Sequence, residues 1–240
     1  MSSGVLNNGV TIQWYGHSTM LITSPGGKRI MIDPFVQHNP ACPEQLHRVE
    51  NLDLLLITHG HFDHMQDVLE VVGSGRPKKV ICIHEIGLWL GTKGVENVSD
   101  MNRGGTQEAE GLKITMTPAL HSSGFLEGDR LVYAGECSGY VIEMENGFRL
   151  YHSGDTALFG DLALIGELWP PDLACLPIGG HYTMGPEEAA RAAKLLGVKR
   201  VLPIHYGTWP LISGTPERLR EAGQADGLEV LALRPGETLS

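Results

Sequence analysis

In Leu54-Leu55-Leu56-Ile57-Thr58-His59-Gly60-His61-Phe62-Asp63-His64, an unbroken apolar run ends in three histidines and an aspartate within six positions. Preceded by Asp53 and closed by Thr58, the run reads as a buried strand. The polar cluster then falls in the loop at the strand's C-terminal end, where sites on α/β sheets lie. His59 and His61 are two residues apart, which suits extended or tightly turned backbone. The helical zinc signature instead needs its histidines at i and i+4. The stretch therefore reads as a metal site with an open coordination position.

Upstream, residues 10–14, 20–23 and 28–32 read as strands, with a Ser24-Pro25-Gly26-Gly27 turn between the last two. Asp33 closes the third strand, its backbone expected to be held extended by Pro34. Gly16-His17-Ser18 links the first two strands, and residues 36–48 read as a loop with one helical turn. Downstream, residues 67–72 form a short helix stopped by Gly73-Ser74-Gly75, followed by a strand at 79–83 and a helix at 86–90. Residues 112–117 make a strand leading to His121. Residues 131–134, 139–144 and 148–151 read as antiparallel strands, the last two joined by the hairpin signal Asn146-Gly147 and running into Asp155. The pattern then becomes mixed, with helices at 158–168, 186–196 and 216–222 and strands at 173–176, 198–204 and 228–233. Pro186 at the first position and Gly197 past the end punctuate the middle helix. So many strands suit two sheets packed face to face with helices outside.

A length of 240 residues, with 42% hydrophobic and 19% charged residues, fits one α/β domain spanning 1–240. The formal net charge of −10 argues against a general electrostatic grip on nucleic acid or an anionic membrane. Cys42, Cys82, Cys137 and Cys175 are far apart and form no Cys-x-x-Cys pair, so a reduced, cytoplasmic protein is expected. The polar N-terminal stretch has no leader pattern, and no apolar run approaches the ~20 residues that cross a bilayer.

Further polar residues recur where apolar segments end in small or glycine-rich sequence: His121, Asp155 and His205. The run Thr58 to His64 resembles the H-x-H-x-D-H signature of the metallo-β-lactamase superfamily, and His121, Ser153-Gly154-Asp155-Thr156 and Pro203-Ile204-His205-Tyr206 match its remaining motifs in order. Within it, Tyr15-Gly16-His17-Ser18, Asn102-Arg103-Gly104-Gly105 and the segment from Gly179 to Pro186 are similar to the metal-dependent hydrolase group related to ascorbate-6-phosphate lactonases (UlaG-like). The resemblance implies a four-layer αββα sandwich of two mixed β-sheets. It implies that His59, His61 and His121 hold one metal, that Asp63, His64 and His205 hold a second, and that Asp155 bridges them. Redox di-iron members carry a carboxylate where this chain has His61, so two zinc or manganese ions are the expected cofactors.

That ligand set implies a metal-bound hydroxide attacking an ester, lactone or phosphodiester. Two divalent cations, two aspartates and a hydroxide leave a local charge of about +1, which favours an anionic small-molecule substrate. Asp63 and His181 are the expected catalytic residues. His181 would donate to a substrate oxyanion or leaving group from a loop that precedes a helix N-terminus. Asp33 either accepts a proton from a ligand histidine or is a turn aspartate. His17 is either a pocket residue or a hydrogen-bonded loop histidine, and Tyr206 points into the pocket or into the core. The alternatives are a metal-bound binding or sensing protein without turnover and a metal-dependent nuclease. A homo-oligomer is expected.

Overall fold

The computed structural model describes Leu6 and residues 8–240. Most of the N-terminal stretch expected to carry no leader lies outside the described residues. The first sheet contains β1 (Thr11–Gly16), β2 (Thr19–Thr23), β3 (Arg29–Ile32), β4 (Leu54–Leu56), β5 (Lys79–Ile83), β6 (Val98–Met101) and the last strand, β16 (Thr238–Leu239), in the order β16-β1-β2-β3-β4-β5-β6. The second contains β7 (Thr106–Ala109), β8 (Leu112–Pro118), β11 (Ser138–Glu143), β12 (Arg149–His152), β13 (Leu173–Pro177), β14 (Arg200–Ile204) and β15 (Glu229–Val230), in the order β15-β14-β13-β12-β11-β8-β7. Each sheet is antiparallel on one side and parallel on the other: β3 to β6 and β12 to β15 run parallel.

Two-residue alternation divides the second sheet between two cores. Leu150, Leu173, Cys175, Leu202 and Ile204 share a core with the first sheet, whose Met20, Ile30 and Leu54 lie on one face, with Met20 Sδ 3.9 Å from Cys175 Sγ. Tyr151, Ala174, Leu176 and Val201 face outward onto α4 (Leu162–Leu168), α5 (Pro186–Leu196) and α6 (Pro216–Gly223). The outer side of the first sheet carries α1 (Phe62–Met65), α2 (Val68–Gly75) and α3 (His84–Thr92). The protein is thus an αββα sandwich.

Buried polar bonds tie the sheets together at one edge. The Tyr140 hydroxyl, in β11, donates to the Ile57 carbonyl at 2.7 Å, and Ser138 Oγ donates to the Thr58 carbonyl at 2.8 Å. Leaving such a group buried without its partner would cost about 1–3 kcal/mol, so these bonds fix how the strand bearing His59 sits on the second sheet.

The structure departs from the sequence expectations in several places. Residues 131–134 do not join 139–144: β10 (Arg130–Tyr133) pairs with β9 (Gly124–Glu127) in a separate two-stranded hairpin. The partner strand was hidden because Gly124-Phe125-Leu126-Glu127 has no alternation. Strands β6 and β7 were missed because Val98-Ser99-Asp100-Met101 and Thr106-Gln107-Glu108-Ala109 are polar edge strands defined by pairing. The metal loop is partly helical, since Asp63 and His64 lie in the single turn α1 with His61 as its N-cap. Asp33 is not extended: its φ is +52°, left-handed, despite Pro34.

Candidate metal centre

The strands that end at one edge deliver the polar residues. His17 follows β1, Asp33 follows β3 and His59 follows β4; His121 lies beyond β8, Asp155 beyond β12 and His205 immediately after β14. His17, Asp33 and His205 all have positive φ, at 57°, 52° and 53°. Non-glycine residues held there cluster at functional sites. The His205 amide donates to the His17 carbonyl at 3.0 Å, so two of the three fix one another.

Close packing sets the loops. A Cβ on Gly60 would lie 2.3 Å from the Ala134 Cβ, so only glycine fits between His59 and His61. Gly154 has φ +61°, and a Cβ there would lie 2.4 Å from the Ser138 carbonyl oxygen. Leu120 N donates to Thr156 Oγ1 and Ala157 N to the Leu120 carbonyl, pinning the loop of His121 to that of Asp155.

All seven residues expected to bind metal converge. Donor atoms of His59, His61 and His121 group within 4.8 Å of one another, as do those of His17, Asp63, His64 and His205, and those of His59, His64 and Asp155. Asp155 Oδ2 stands centrally, 2.9 Å from His205 Nε2, 3.3 Å from His64 Nε2, 3.8 Å from His121 Nε2 and 4.0 Å from His59 Nε2. His17 Nε2 lies 3.0 Å from Asp63 Oδ2, and His17 Nδ1 lies 2.9 Å from Thr208 Oγ1.

A small network orients two of the histidines. Thr58 Oγ1 donates its one proton to Asp33 Oδ2 at 2.8 Å, and the Thr58 amide donates to Asp33 Oδ1. With its proton committed, Thr58 Oγ1 accepts from His59 Nδ1 at 3.0 Å. His64 Nδ1 donates to Asp33 Oδ2 at 2.8 Å. Both rings thereby turn Nε2 towards the centre, so Asp33 acts through hydrogen bonds and is more than a turn aspartate. Asp33→Asn keeps the volume but sets an amide donor against the His64 donor. We expect it to weaken metal binding by about 10–100-fold, measured by competition with a chromophoric chelator. Unchanged affinity would remove Asp33 from this role.

The cluster's electrostatics call for positive charge at its centre. Burial, reinforced by the charge of His64, pushes the His59 pKa well below the ordinary value. Burial works against charge on His64 as well, but the carboxylates of Asp155, Asp33 and Asp63 outweigh it and hold that pKa well above the ordinary one. His205 behaves alike, raised to about 9 by Asp155 against its burial. Burial and the neighbouring His205 lower His17 to about 4, against its bond to Asp63. Asp155 is held well below the carboxylate range because His205 and His64 overcome its burial. Asp155 Oδ1 and His64 Nε2 are buried without a hydrogen bond, although the latter faces Asp155 Oδ2. Nitrogen and oxygen lone pairs aimed at one point, two of them orphaned, fit a cation held by imidazole and carboxylate. Cys137 is no part of this set: its thiol donates to the Asp155 carbonyl at 3.2 Å, and burial raises its pKa well above the ordinary value.

A cavity of about 480 Å³ opens over the centre, rimmed by Phe62, Ser122, Tyr182, Trp209 and Leu211. No lysine or arginine lines it. His181 does not line it either; its exposed ring packs edge-on against Tyr182. Tyr206 points away, stacked on Trp14 with centroids 5.3 Å apart. Sequence reasoning missed Thr58 and Trp209. The hydroxyl adjacent to His59 and the aromatic ring four residues after His205 were the available signals.

The family model of the beta-lactamase superfamily domain matches residues 28–206. A UPF0173 metal-dependent hydrolase of Koribacter versatilis is 48% identical over 232 residues, 97% of this chain and 98% of the relative. One of Rubrobacter xylanophilus is 47% identical, covering 96% of each chain. The chain belongs to the UPF0173 metal-dependent hydrolases. Among solved structures, Igni18, a metallo hydrolase of Ignicoccus hospitalis, is 37% identical and superposes with a TM-score of 0.85, covering 96% of this chain and 97% of that one. An isothiocyanate hydrolase from Delia radicum gut bacteria shares the fold at a TM-score of 0.73 and 19% identity, over 96% and 98% of the two chains.

Proposed function

We propose that this chain, one domain over residues 1–240, is a dinuclear metal-dependent hydrolase that cleaves an ester, lactone or phosphodiester bond. The observation that carries the reading is the convergence of seven imidazole and carboxylate side chains around the buried, partly orphaned Asp155. His59, His61 and His121 would hold one ion, Asp63, His64 and His205 the other, and Asp155 would lie between them. Zinc and manganese both suit such nitrogen and oxygen donors. When bound, the ions would lower the pKa of a coordinated water from 15.7 towards ~7 and polarise the substrate oxygen.

The chain's own residues hold the geometry. Thr58 and Asp33 lock His59 and His64 with Nε2 facing inward, and His17 holds Asp63 from its buried side. Phe62, Trp209 and Leu211 give the cavity an apolar side. Since no lysine or arginine lines the cavity, an anionic substrate group would be held chiefly by the ions. Tyr182, which lines the cavity, is better placed than His181 to meet a leaving group.

The test is metal analysis of the loaded protein together with a panel of carboxylic esters, lactones and phosphodiesters assayed with zinc and with manganese. About two ions per chain and turnover in one class are expected. No bound metal and no turnover across the panel would overturn the reading.

A further inference from the structure

A second concavity, of about 560 Å³, adjoins the metal cavity, and His61 and Phe62 line both. Its floor and walls are mainly apolar, built by Met65, Leu69, Trp89, Phe125 and Leu131 with the uncharged Gln66 among them. One carboxylate borders it, that of Glu127, and it is engaged by Lys93 Nζ at 2.6 Å and by Trp89 Nε1 at 3.0 Å. The groove thus offers no free charge. One wall is the β9–β10 hairpin, whose paired Leu126 and Leu131 are 71% and 74% exposed. An isolated two-stranded hairpin is marginal in water and needs something to pack on. Here Phe125 packs against Trp89 with centroids 4.9 Å apart. The hairpin's root is tied to the metal loop: the Gly60 amide donates to Ser123 Oγ at 3.1 Å, and Ser123 Oγ donates to the Ala134 carbonyl.

We propose that this groove receives an uncharged, extended apolar chain of the substrate, placing the scissile carbonyl at the metal centre. The substrate class is then an ester with a medium-length aliphatic acyl chain. The inference rests on the hydrolase reading, because the shared His61 makes the groove part of the same site. Its volume is that of a small-molecule pocket. The absence of lysine and arginine from both linings removes any side-chain grip on a polyanionic substrate and leaves apolar burial as the source of affinity.

The test titrates zinc-loaded protein with n-alkyl hydroxamates from acetyl to decanoyl, read by calorimetry and by quenching of Trp89 fluorescence, with Trp89→Phe locating the signal. The hydroxamate head binds the metal, and each methylene in the groove should tighten binding about fourfold. Leu69→Glu and Leu131→Glu, both at solvent-accessible positions, should lower the decanoyl-to-acetyl affinity ratio at least tenfold. Leu168→Glu, exposed on α4, should leave the ratio unchanged. Equal affinity across the series overturns the groove while leaving the hydrolase reading intact. No binding of even acetohydroxamate overturns both. A flat series together with a dimer that Leu131→Glu dissociates assigns the face to a second copy of the chain and overturns the proposal.

Discussion

Replacing Asp155 with alanine is expected to abolish hydrolysis and to cost the protein both metal ions. Its carboxylate lies within 4.0 Å of the Nε2 atoms of His59, His64, His121 and His205, which the proposed function divides between two ions. No other carboxylate reaches donors of both groups in this way among the described residues. Losing one oxyanion donor typically costs ~10²–10³ in kcat. Losing the group between two ions should exceed that, and metal content should fall below about one ion per chain. Asp155→Asn supplies the control for folding, since it keeps the shape and removes only the charge. It should lose activity too, with an unchanged far-ultraviolet circular dichroism spectrum. Retained turnover in either variant would dismiss Asp155 as the bridge.

Chelation is expected to lower the melting temperature by about 5–10 °C for each site, taking free metal at 100 times its dissociation constant. The physical reason is local. His64 and His205 are driven towards protonation by buried carboxylates, while burial pushes His59 towards neutrality. A divalent cation supplies the charge these carboxylates demand without requiring charge on rings that are shut away from water. Calorimetric melting before and after chelation, with recovery on adding zinc, measures the effect. An unchanged melting temperature would mean that the cluster binds no metal.

Of the residues expected to bind metal, His59 and His205 follow closely on apolar strands, whereas His121 and Asp155 lie three residues beyond the ends of β8 and β12, in the small or glycine-rich sequence that closes them. The α5 boundaries, Pro186 and Leu196, were legible because proline and glycine punctuate the backbone locally. Of the hairpin at 124–133, the second strand was legible at 131–134, but its partner strand and their pairing were not. Its two strands are short, exposed and without alternation, and they exist by pairing with each other and packing on Trp89. The left-handed backbone of Asp33 was likewise hidden. Local rules around Pro34 favour extension, and the bonds to Thr58 and His64 override them.

The sequence by itself determined the chemistry of the centre. Imidazole and carboxylate type, strand-end position and the His59-Gly60-His61 spacing are properties of single residues and near neighbours. Tertiary structure alone decided which side chains face that centre. Whether His181 or Tyr182 reaches the cavity depends on the turn of a glycine-rich loop, where adjacent side chains diverge and no periodicity says which points inward. His17 reaches Asp63 across 46 residues, and Tyr206 turns away because Trp14 offers its ring a stacking face. The groove beside the site is made by α1, α2, Trp89 and a hairpin remote from one another in sequence. Its existence depends on long-range packing, to which local pattern is blind.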